Sequence, residues 1–409
     1  MRGFNTLLFV LFALSANAAD GTLGTVSVQK GNNVSVNGEA PLSLTLDGKD
    51  HQSCQFLSKR APDESHEFTW KEVTTTRCGE LAEILGDQLR SVDSLVVKGN
   101  VNDKDFHAMW DASLYGYLSV INLKNAVLEN NAVPDTAFFH ENEQYEGSSH
   151  EIFYYIGLRK IILPEGLEKI GEGAFYQASA LRQVNFPSTL RYIGDFAFNA
   201  TKLEMNQLVI PEGVEEINQY AFAFCRKLKA QVTLPSTIKK IGEWAFYGCP
   251  ITSINLPEGL ESLGSLAFWD CDLREVSIPS SCHEFNEGWQ FGFNRNLEKM
   301  HLPEGMTEIP DHFAVDCFRL REVNFPHTLK HIGEKAFSLC ISLKNVDLPL
   351  GMQSLGEEAF SELEALEQIV FPASMKSLGK NSCSYWKNIK RIYCAAMEPP
   401  VCDPTDGGV

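Results

Sequence analysis

The fold is decided by the stretch Leu163-Pro164-Glu165-Gly166-Leu167-Glu168-Lys169-Ile170-Gly171-Glu172-Gly173-Ala174-Phe175, because its pattern recurs through the second half of the chain. Each copy carries a proline at the same place in an apolar phrase. These prolines are Pro164, Pro187, Pro211, Pro235, Pro257, Pro279, Pro303, Pro326, Pro349 and Pro372, at intervals of 22 to 24 residues. Such a period predicts a solenoid in which each unit buries its apolar face against its neighbours.

The residues before each proline predict a short strand. In the first copy Ile161 and Leu163 lie three residues and one residue before Pro164, so alternate side chains are apolar. The proline ends the strand because it has no amide hydrogen to donate to a ladder. Further apolar residues three and six positions after the proline, here Leu167 and Ile170, are expected to fill the interior.

The next position predicts a turn. It is glycine in seven units and asparagine in two, at Gly171, Gly194, Gly242, Gly264, Gly333, Gly356, Gly379, Asn218 and Asn286. These residue types tolerate positive φ most readily, so we expect a left-handed backbone conformation there. Pro310 breaks the rule in one unit.

An Ala-Phe pair follows the turn and predicts a buried column of rings. The pairs are Ala174-Phe175, Ala197-Phe198, Ala221-Phe222, Ala245-Phe246, Ala267-Phe268, Ala336-Phe337 and Ala359-Phe360. Two units are out of phase, with Gln290-Phe291 and Phe313-Ala314 in this place. Local irregularity is expected in both.

These phrases, together with Ala245-Phe246-Tyr247-Gly248-Cys249, resemble the leucine-rich repeats of the Treponema pallidum type found in BspA-like surface proteins, over roughly residues 78 to 402. The resemblance implies an α/β-type leucine-rich repeat solenoid, with short parallel strands on one face and turns and short helical segments on the other. It also implies adhesion to host or matrix components or to neighbouring cells, which is an association rather than a deduction from these residues.

The first residues predict export. Arg2, the apolar run from Leu7 to Leu14 and the end Ala16-Asn17-Ala18 are typical of a secretory signal peptide over residues 1–18, cleaved near Ala18. The apolar run is too short to span a bilayer, and no membrane insertion is expected. The predicted location is therefore secreted or at the cell surface, with no anchor identified.

The remaining chain divides into four predicted regions. Residues 19–75 form a small N-terminal β region, interpreted as an antiparallel meander, and residues 76–163 hold divergent repeats that include a helical run from Glu80 to Gln88. Regular repeats of about 23 residues occupy residues 164–394, and residues 395–409 form a C-terminal tail. The polar stretch 141–150 is expected to be an exposed loop.

The charge balance restricts the partners. With a formal net charge of −18 the chain lacks the basic surface that nucleic acid requires, so no nucleic acid is expected. An acidic surface keeps an exported protein soluble, and it also leaves attraction to basic partners open. The expected ligand is an extracellular protein or glycan.

The cysteine positions favour packing over chemistry. Cys225, Cys249, Cys271, Cys317 and Cys340 each lie fourteen residues after a proline, so we expect buried, reduced thiols that act as small apolar fillers. A bond between neighbouring units, such as Cys225 to Cys249, stays open if its geometry allows. Cys394 and Cys402 are candidates to close the final loop.

The sequence offers no catalytic constellation. The stretch His283-Glu284-Phe285-Asn286-Glu287 begins like a zincin helix but has glutamate where the second histidine is needed. One cysteine per unit gives a line of ligands rather than a tetrahedron. We therefore expect a protein that is not an enzyme and holds no metal and no cofactor.

Two surfaces are candidate binding sites. Polar residues of the short strands form rows on one exposed face, and the predicted ligand surface is centred on Asn255, Glu275, Ser277, Lys299 and His301. The alternative is a solvated face whose side chains, such as Gln207 and Gln231, bond to each other as a ladder.

The second surface is aromatic. Phe196, Tyr220 and Trp244 lie two residues before the column phenylalanines of consecutive units, with Trp269 nearby. Contiguous aromatic surface often marks a partner site, and the alternative is that these rings cover the core edge.

These observations favour a secreted or surface-displayed scaffold that binds protein or glycan. A structural or accessory subunit of a cell-envelope assembly is the alternative, with contacts through the N-terminal β region or the aromatic residues. A glycan-acting enzyme would need paired carboxylates in one cleft.

Overall fold

The computed structural model describes residues 66–139 and 156–402, together with the backbone of five strands outside those ranges. The chain forms two compact units, one of residues 1–187 with 197–203 and the other of residues 188–196 with 204–409. The predicted signal peptide and the polar stretch 141–150 lie outside the described residues.

The first unit contains twelve described strands and two α-helices. The strands are β1 (Gly24–Gln29), β2 (Asn33–Gly38), β3 (Leu44–Thr45), β4 (Phe56–Leu57), β5 (Trp70–Thr75), β6 (Ser94–Val101), β7 (Val120–Leu128), β8 (Ala132–Val133), β9 (Phe153–Tyr154), β10 (Lys160–Ile162), β11 (Lys169–Ile170) and β12 (Gln183–Val184). The helices are α1 (Leu81–Leu85), followed by a 3-10 turn at Gly86–Gln88, and α2 (Asp103–Tyr115), with a second 3-10 turn at Glu129–Asn131.

The N-terminal β region differs from a meander. Strands β1 and β2 form the expected antiparallel hairpin, but β3 pairs with β1 in parallel. The meander interpretation is therefore wrong for the third strand, because apolar alternation identifies a strand without fixing its direction.

The divergent repeats are parallel. Strands β5, β6, β7, β10 and β12 form one sheet in the order β12-β10-β7-β6-β5. The helical run predicted from Glu80 to Gln88 is confirmed as α1 and its 3-10 turn. Helix α2 begins with a capping box, in which the Asn102 side chain accepts from the Lys104 amide and the Asp105 carboxylate accepts from the Asn102 amide. The Asp105 carboxylate also accepts from the amides of Gly79 and Leu81.

The second unit consists of short strands in every repeat. They are β13 (Tyr192–Ile193), β14 (Gln207–Val209), β15 (Glu216–Ile217), β16 (Gln231–Thr233), β17 (Lys240–Ile241), β18 (Ser253–Asn255), β19 (Ser262–Leu263), β20 (Glu275–Ser277), β21 (Glu284–Phe285), β22 (Lys299–His301), β23 (Glu308–Ile309), β24 (Glu322–Asn324), β25 (His331–Ile332), β26 (Asn345–Val346), β27 (Ser354–Leu355), β28 (Gln368–Phe371), β29 (Ser377–Leu378), β30 (Arg391–Cys394) and β31 (Val401–Cys402).

Each repeat thus contributes two strands, one before its proline and one after it. The strands before the prolines form the parallel sheets β14-β16-β18, β20-β22-β24 and β26-β28-β30. The two-residue strands after the prolines also pair in parallel. They form the series β13-β15-β17-β19-β21 and β23-β25-β27-β29-β31. The described helices all lie in the first unit, so turns and these two-residue strands form the second face of the regular repeats.

The predicted burial of the column of phenylalanines is confirmed in each unit. Each member has an exposed fraction of 0%: Phe106, Phe138, Phe175, Phe198, Phe222, Phe246, Phe268, Phe291, Phe313, Phe337 and Phe360. Successive rings in the regular repeats are stacked, with centroids 5.3 Å apart and planes 4° apart for Phe222 and Phe246. The expected irregularity is also present, because Phe291 and Phe313 meet edge to face at 75°.

The expected role of the repeat glycines is wrong. Gly264 and Gly356 do not have positive φ. A Cβ placed on Gly264 would lie 2.5 Å from the carbonyl carbon of Gly242, and one on Gly356 would lie 2.6 Å from that of Gly333. Glycine is required because the backbone of the preceding repeat passes this close, and not because of a left-handed turn.

Left-handed backbone occurs instead two residues further along, at the aromatic position itself. Tyr220 has a φ of 55° and Trp244 a φ of 57°. Their amides donate to the next repeat, from Tyr220 to the Glu243 carbonyl at 2.9 Å and from Trp244 to the Ser265 carbonyl at 2.9 Å. This ladder between repeats holds bulky residues in a conformation that they seldom adopt.

Pro310 accounts for an interruption of the second face. In regular repeats the glycine amide donates to the preceding repeat, as from Gly242 to the Ile217 carbonyl at 2.7 Å. Pro310 takes the glycine position and has no amide hydrogen, so it cannot make this bond. The stack that ends at β21 and the stack that begins at β23 are accordingly separate sheets.

The cysteine predictions are confirmed in the core and wrong at the end of the repeats. Cys225 and Cys249 are buried and form no disulfide. Cys394 and Cys402 form none either, and both are exposed. They lie on different sheets, in register with Phe371 and Leu378, so they do not close the final loop.

Membrane insertion was not expected from the sequence. Within the part of the chain that the structure describes, no helix is long and apolar enough to cross a membrane.

Candidate functional site

The predicted ligand surface lies on the strands before the prolines. Glu275 and Ser277 on β20 are in register with Lys299 and His301 on β22, so these four residues share one sheet face. Asn255 lies on β18, the last strand of the neighbouring sheet β14-β16-β18. The structure therefore brings four of the five predicted residues together and places the fifth beside a break in the strand pairing.

The inward residues of these strands fix the surface. Val276 and Met300, which separate the outward pairs, are 1% and 0% exposed. Adjacent side chains along a strand point to opposite faces of the sheet. Because Val276 and Met300 point into the core, the residues on either side of each of them point outward. Strands in such a ladder lie about 4.8 Å apart, so the surface is an array of polar groups at a fixed spacing.

The polar side chains on this surface contact each other. The Nε2 atom of His301 lies 3.2 Å from Oε1 of Glu275, and Nζ of Lys299 lies 3.2 Å from Oε2 of Glu322 on β24. Sequence reasoning left Glu322 out, although its place four residues before Pro326 put it in the same row as Lys299. A ligand must therefore compete with these exposed contacts, which are individually weak.

The aromatic residues form a continuous stack. Phe196 and Tyr220 have ring centroids 4.7 Å apart with planes 7° apart, and Tyr220 and Trp244 are 5.3 Å and 16° apart. All three are half-buried. Because the ring faces lie against one another, the row presents ring edges to solvent. That geometry suits contact with a protein better than the stacking of a sugar on an open ring face.

Trp269 belongs to a different group. Its ring contacts Trp289 at 5.1 Å and Phe293 at 4.5 Å, and Trp289 stacks on His312 at 3.6 Å. Trp269 itself is only 9% exposed. The structure thus places Trp269 outside the row of three, because Trp269 follows its column phenylalanine whereas the other three precede theirs.

Three titratable groups of the second unit are inert at neutral pH. Burial raises the pKa of Tyr247 to about 12 and also raises the pKa of Tyr220. Burial likewise raises the pKa of the Cys317 thiol to about 12. These groups stay protonated, so they supply hydrogen bonds and packing but no nucleophile.

An open groove lies on the second face of the last repeats. It has a volume of about 340 Å³ and is lined by the glycines Gly333, Gly356 and Gly379, with carboxylates that include Glu308 and Glu357. Within residues 66–139 and 156–402 no three His, Cys, Asp or Glu side chains converge as a set of metal ligands.

Comparisons with known proteins agree with this architecture. The family described as "BspA type Leucine rich repeat region" matches residues 148–231, 230–337 and 312–397, which together exceed half of the chain. A comparison with curated proteins finds no match.

Solved structures are also similar to the chain. A leucine-rich repeat protein from Bacteroides ovatus is 23% identical over 74% of this chain and 79% of its own, with a TM-score of 0.53. A leucine rich cell surface protein from Faecalibacterium prausnitzii is 21% identical over 64% and 83%, with a TM-score of 0.37. The pneumococcal vaccine antigen PcpA is 17% identical over 92% and 89%, with a TM-score of 0.40. The Bacteroides ovatus structure supports the leucine-rich repeat fold.

Proposed function

Because the chain belongs to the BspA-type leucine-rich repeat family, we propose that it is a binding scaffold displayed at the cell surface or secreted, which takes an extracellular protein or glycan without catalysis. The predicted signal peptide over residues 1–18 supports the location. The observation that carries the binding proposal is the polar face on β20, β22 and β24, where the register fixes Glu275, Lys299 and Glu322 side by side.

The physical case for this face rests on rigidity. Its side chains stand on strands whose inward neighbours are buried, so the backbone beneath them is already ordered before a ligand binds. The side chains that make these contacts are exposed, with exposed fractions of 39% for Lys299 and 61% for Glu275. A ligand that offers both a donor and an acceptor replaces each contact without leaving a polar group unpartnered.

Binding measurements on arrays of matrix proteins and glycans test the proposal. We expect saturable binding by the wild-type chain, and at least about tenfold weaker binding after Glu275→Ala with Lys299→Ala, since about 1.4 kcal/mol corresponds to a factor of ten. Gln231→Ala with Thr233→Ala is a matched control on the neighbouring sheet, because these residues are also outward and exposed.

The outcomes separate the alternatives. Binding that is weakened equally by both double variants contradicts a site on β20 and β22. Binding that is lost only after Tyr220→Ala or Trp244→Ala assigns the ligand to the aromatic row instead, as expected for a constitutive subunit of an envelope assembly. No saturable binding to any arrayed protein or glycan contradicts the proposed function.

A further inference from the structure

The groove on the second face of the last repeats is concave and polar. It crosses the strands β23, β25, β27 and β29 and has a volume of about 340 Å³. Its floor carries no side chains, because a Cβ on Gly333 or Gly356 would overlap the backbone of the preceding repeat. Two rows of polar side chains border this floor. One row is Glu308, His331 and Ser354 in strand register, and the other is Asp311, Glu334 and Glu357.

The negative charge of the groove is only partly neutralised. The Oε1 atom of Glu334 lies 2.6 Å from Nζ of Lys335. Within the part of the chain that the structure describes, the carboxylates of Glu308 and Glu357 accept no hydrogen bond and have no cation at ion-pair distance. These two carboxylates are therefore available to a cationic ligand.

A backbone amide in the same row is also available. In other repeats the equivalent amide donates to an aspartate of the preceding repeat, from Gln219 to Asp195 at 3.0 Å and from Glu334 to Asp311 at 2.7 Å. Before Glu357 that place is taken by Glu334, whose carboxylate is held by Lys335 instead. Among the described residues the amide of Glu357 thus has no acceptor. A ligand that fits the groove has to supply an acceptor as well as positive charge.

We propose that this groove binds an extended segment of a partner protein that carries lysine or arginine side chains. The basic side chains neutralise Glu308 and Glu357, and a backbone carbonyl of the segment accepts from the Glu357 amide. Four strands about 4.8 Å apart span about 14 Å, which is the length of four to five residues of extended peptide. The formal net charge of −18 attracts such a segment from solution.

The groove is separate from the polar face on β20, β22 and β24, so this inference does not rest on the function proposed for that face. Binding at either place is measured without the other. Failure of one proposal therefore leaves the other standing.

Isothermal titration calorimetry of the full chain with a lysine peptide tests the proposal. The probe is a hexapeptide that alternates lysine and alanine and is blocked at both ends. We expect a dissociation constant below about 1 mM at low salt and weaker binding as salt is added, since each exposed ion pair contributes little. Glu308→Gln with Glu357→Gln should raise the dissociation constant by at least about tenfold.

Glu215→Gln with Glu261→Gln is the matched control. These carboxylates are exposed, lie directly before β15 and β19 and are not part of the groove, so the same number of charges is removed elsewhere on the second face. This pair should change the dissociation constant by less than about twofold, because salt screens distant charges. Circular dichroism verifies that each variant is folded.

Two further ligands identify the class of partner. One is the same peptide with glutamate in place of lysine, and the other is spermidine, which matches the three positive charges of the peptide but has no carbonyl group. The lysine peptide should bind more tightly than both. Tighter binding of spermidine would assign the groove to a small polyamine and overturn the proposal. Equal binding of the glutamate peptide, equal weakening by both double variants, or no binding of the lysine peptide below about 1 mM would overturn it as well.

Discussion

The thiol of Cys249 donates a hydrogen bond to the carbonyl oxygen of Phe222 in the preceding repeat, with a distance of 2.8 Å from Sγ to O. Cys271 does the same toward Phe246 at 3.3 Å. In the out-of-phase repeat after Pro279 an amide takes over, with Nδ2 of Asn294 at 2.7 Å from the Phe268 carbonyl. The cysteine column therefore supplies buried donors between repeats as well as packing.

Removing the donor should destabilise the protein. Cys249→Ala leaves the Phe222 carbonyl without this bond and creates a small cavity, so we expect the free energy of unfolding to fall by about 1 to 3 kcal/mol. Cys249→Ser keeps a donor and should lose less. Urea denaturation of both variants measures the difference, and an alanine variant as stable as the wild type would show that the bond contributes nothing.

The same burial predicts which thiols react. Burial raises the pKa of Cys249 and Cys271 well above the usual value, whereas Cys394 and Cys402 are exposed. A maleimide added to the folded protein at neutral pH should label Cys394 and Cys402 and leave the two buried thiols unmodified until denaturant is added. Peptide mapping by mass spectrometry checks this. Labelling of Cys249 in the native state would contradict the buried column.

The close approach between repeats predicts a steep cost for one methyl group. A Cβ on Gly356 would lie 2.6 Å from the backbone of Gly333, so Gly356→Ala should lower the free energy of unfolding by about 2 to 3 kcal/mol. Gly351→Ala is the control, since its nearest contact, the carbonyl oxygen of His327, is 3.9 Å away. Thermal or urea unfolding compares the two. Equal losses would show that the close approach is not the cause.

The sequence predicted what depends on positions within one repeat. The spacing of Pro257 and Phe268 indicated the strand and the buried ring, because both follow from local alternation and side-chain volume. It did not predict contacts between repeats. Glycine is required at position 356 because the backbone of Gly333 in the preceding repeat lies close to it. A glycine in the sequence does not show whether a close approach or a positive φ is the cause.

The candidate site shows the same limit. The rows on the sheet were readable from the proline register, so Glu275, Lys299 and His301 were placed on one face correctly. Which side chains contact each other depends on their conformations across the two strands. His301 contacts Glu275, which lies diagonally from it, rather than Ser277, which lies directly opposite. The 58% exposure of Ile392 was also not predicted, since its apolar pattern is the same as that of a covered strand.

Acid should weaken the second unit through His312. Its ring stacks on Trp289 and is half-buried, and burial lowers its pKa from the ordinary 6.5 although Glu334, at 3.7 Å, opposes the shift. Lys335 reinforces the lowering and Asp311 opposes it. Below the pKa that His312 has in the unfolded chain, the unfolded chain binds more protons than the folded one. The contribution of His312 to stability is therefore fully present above that pKa, and it is lost as the pH falls through the lower pKa of the folded chain.

His312→Phe should make the melting temperature less dependent on pH between about 5 and about 7, because phenylalanine retains the stack on Trp289 and does not titrate. Leu350→Ala is the control: Leu350 is 89% exposed and carries no titratable group, so its replacement should leave the slope unchanged. Differential scanning fluorimetry over this range measures both variants. A His312→Phe protein whose melting temperature falls with acid as steeply as that of the wild type would show that other groups govern the acid response.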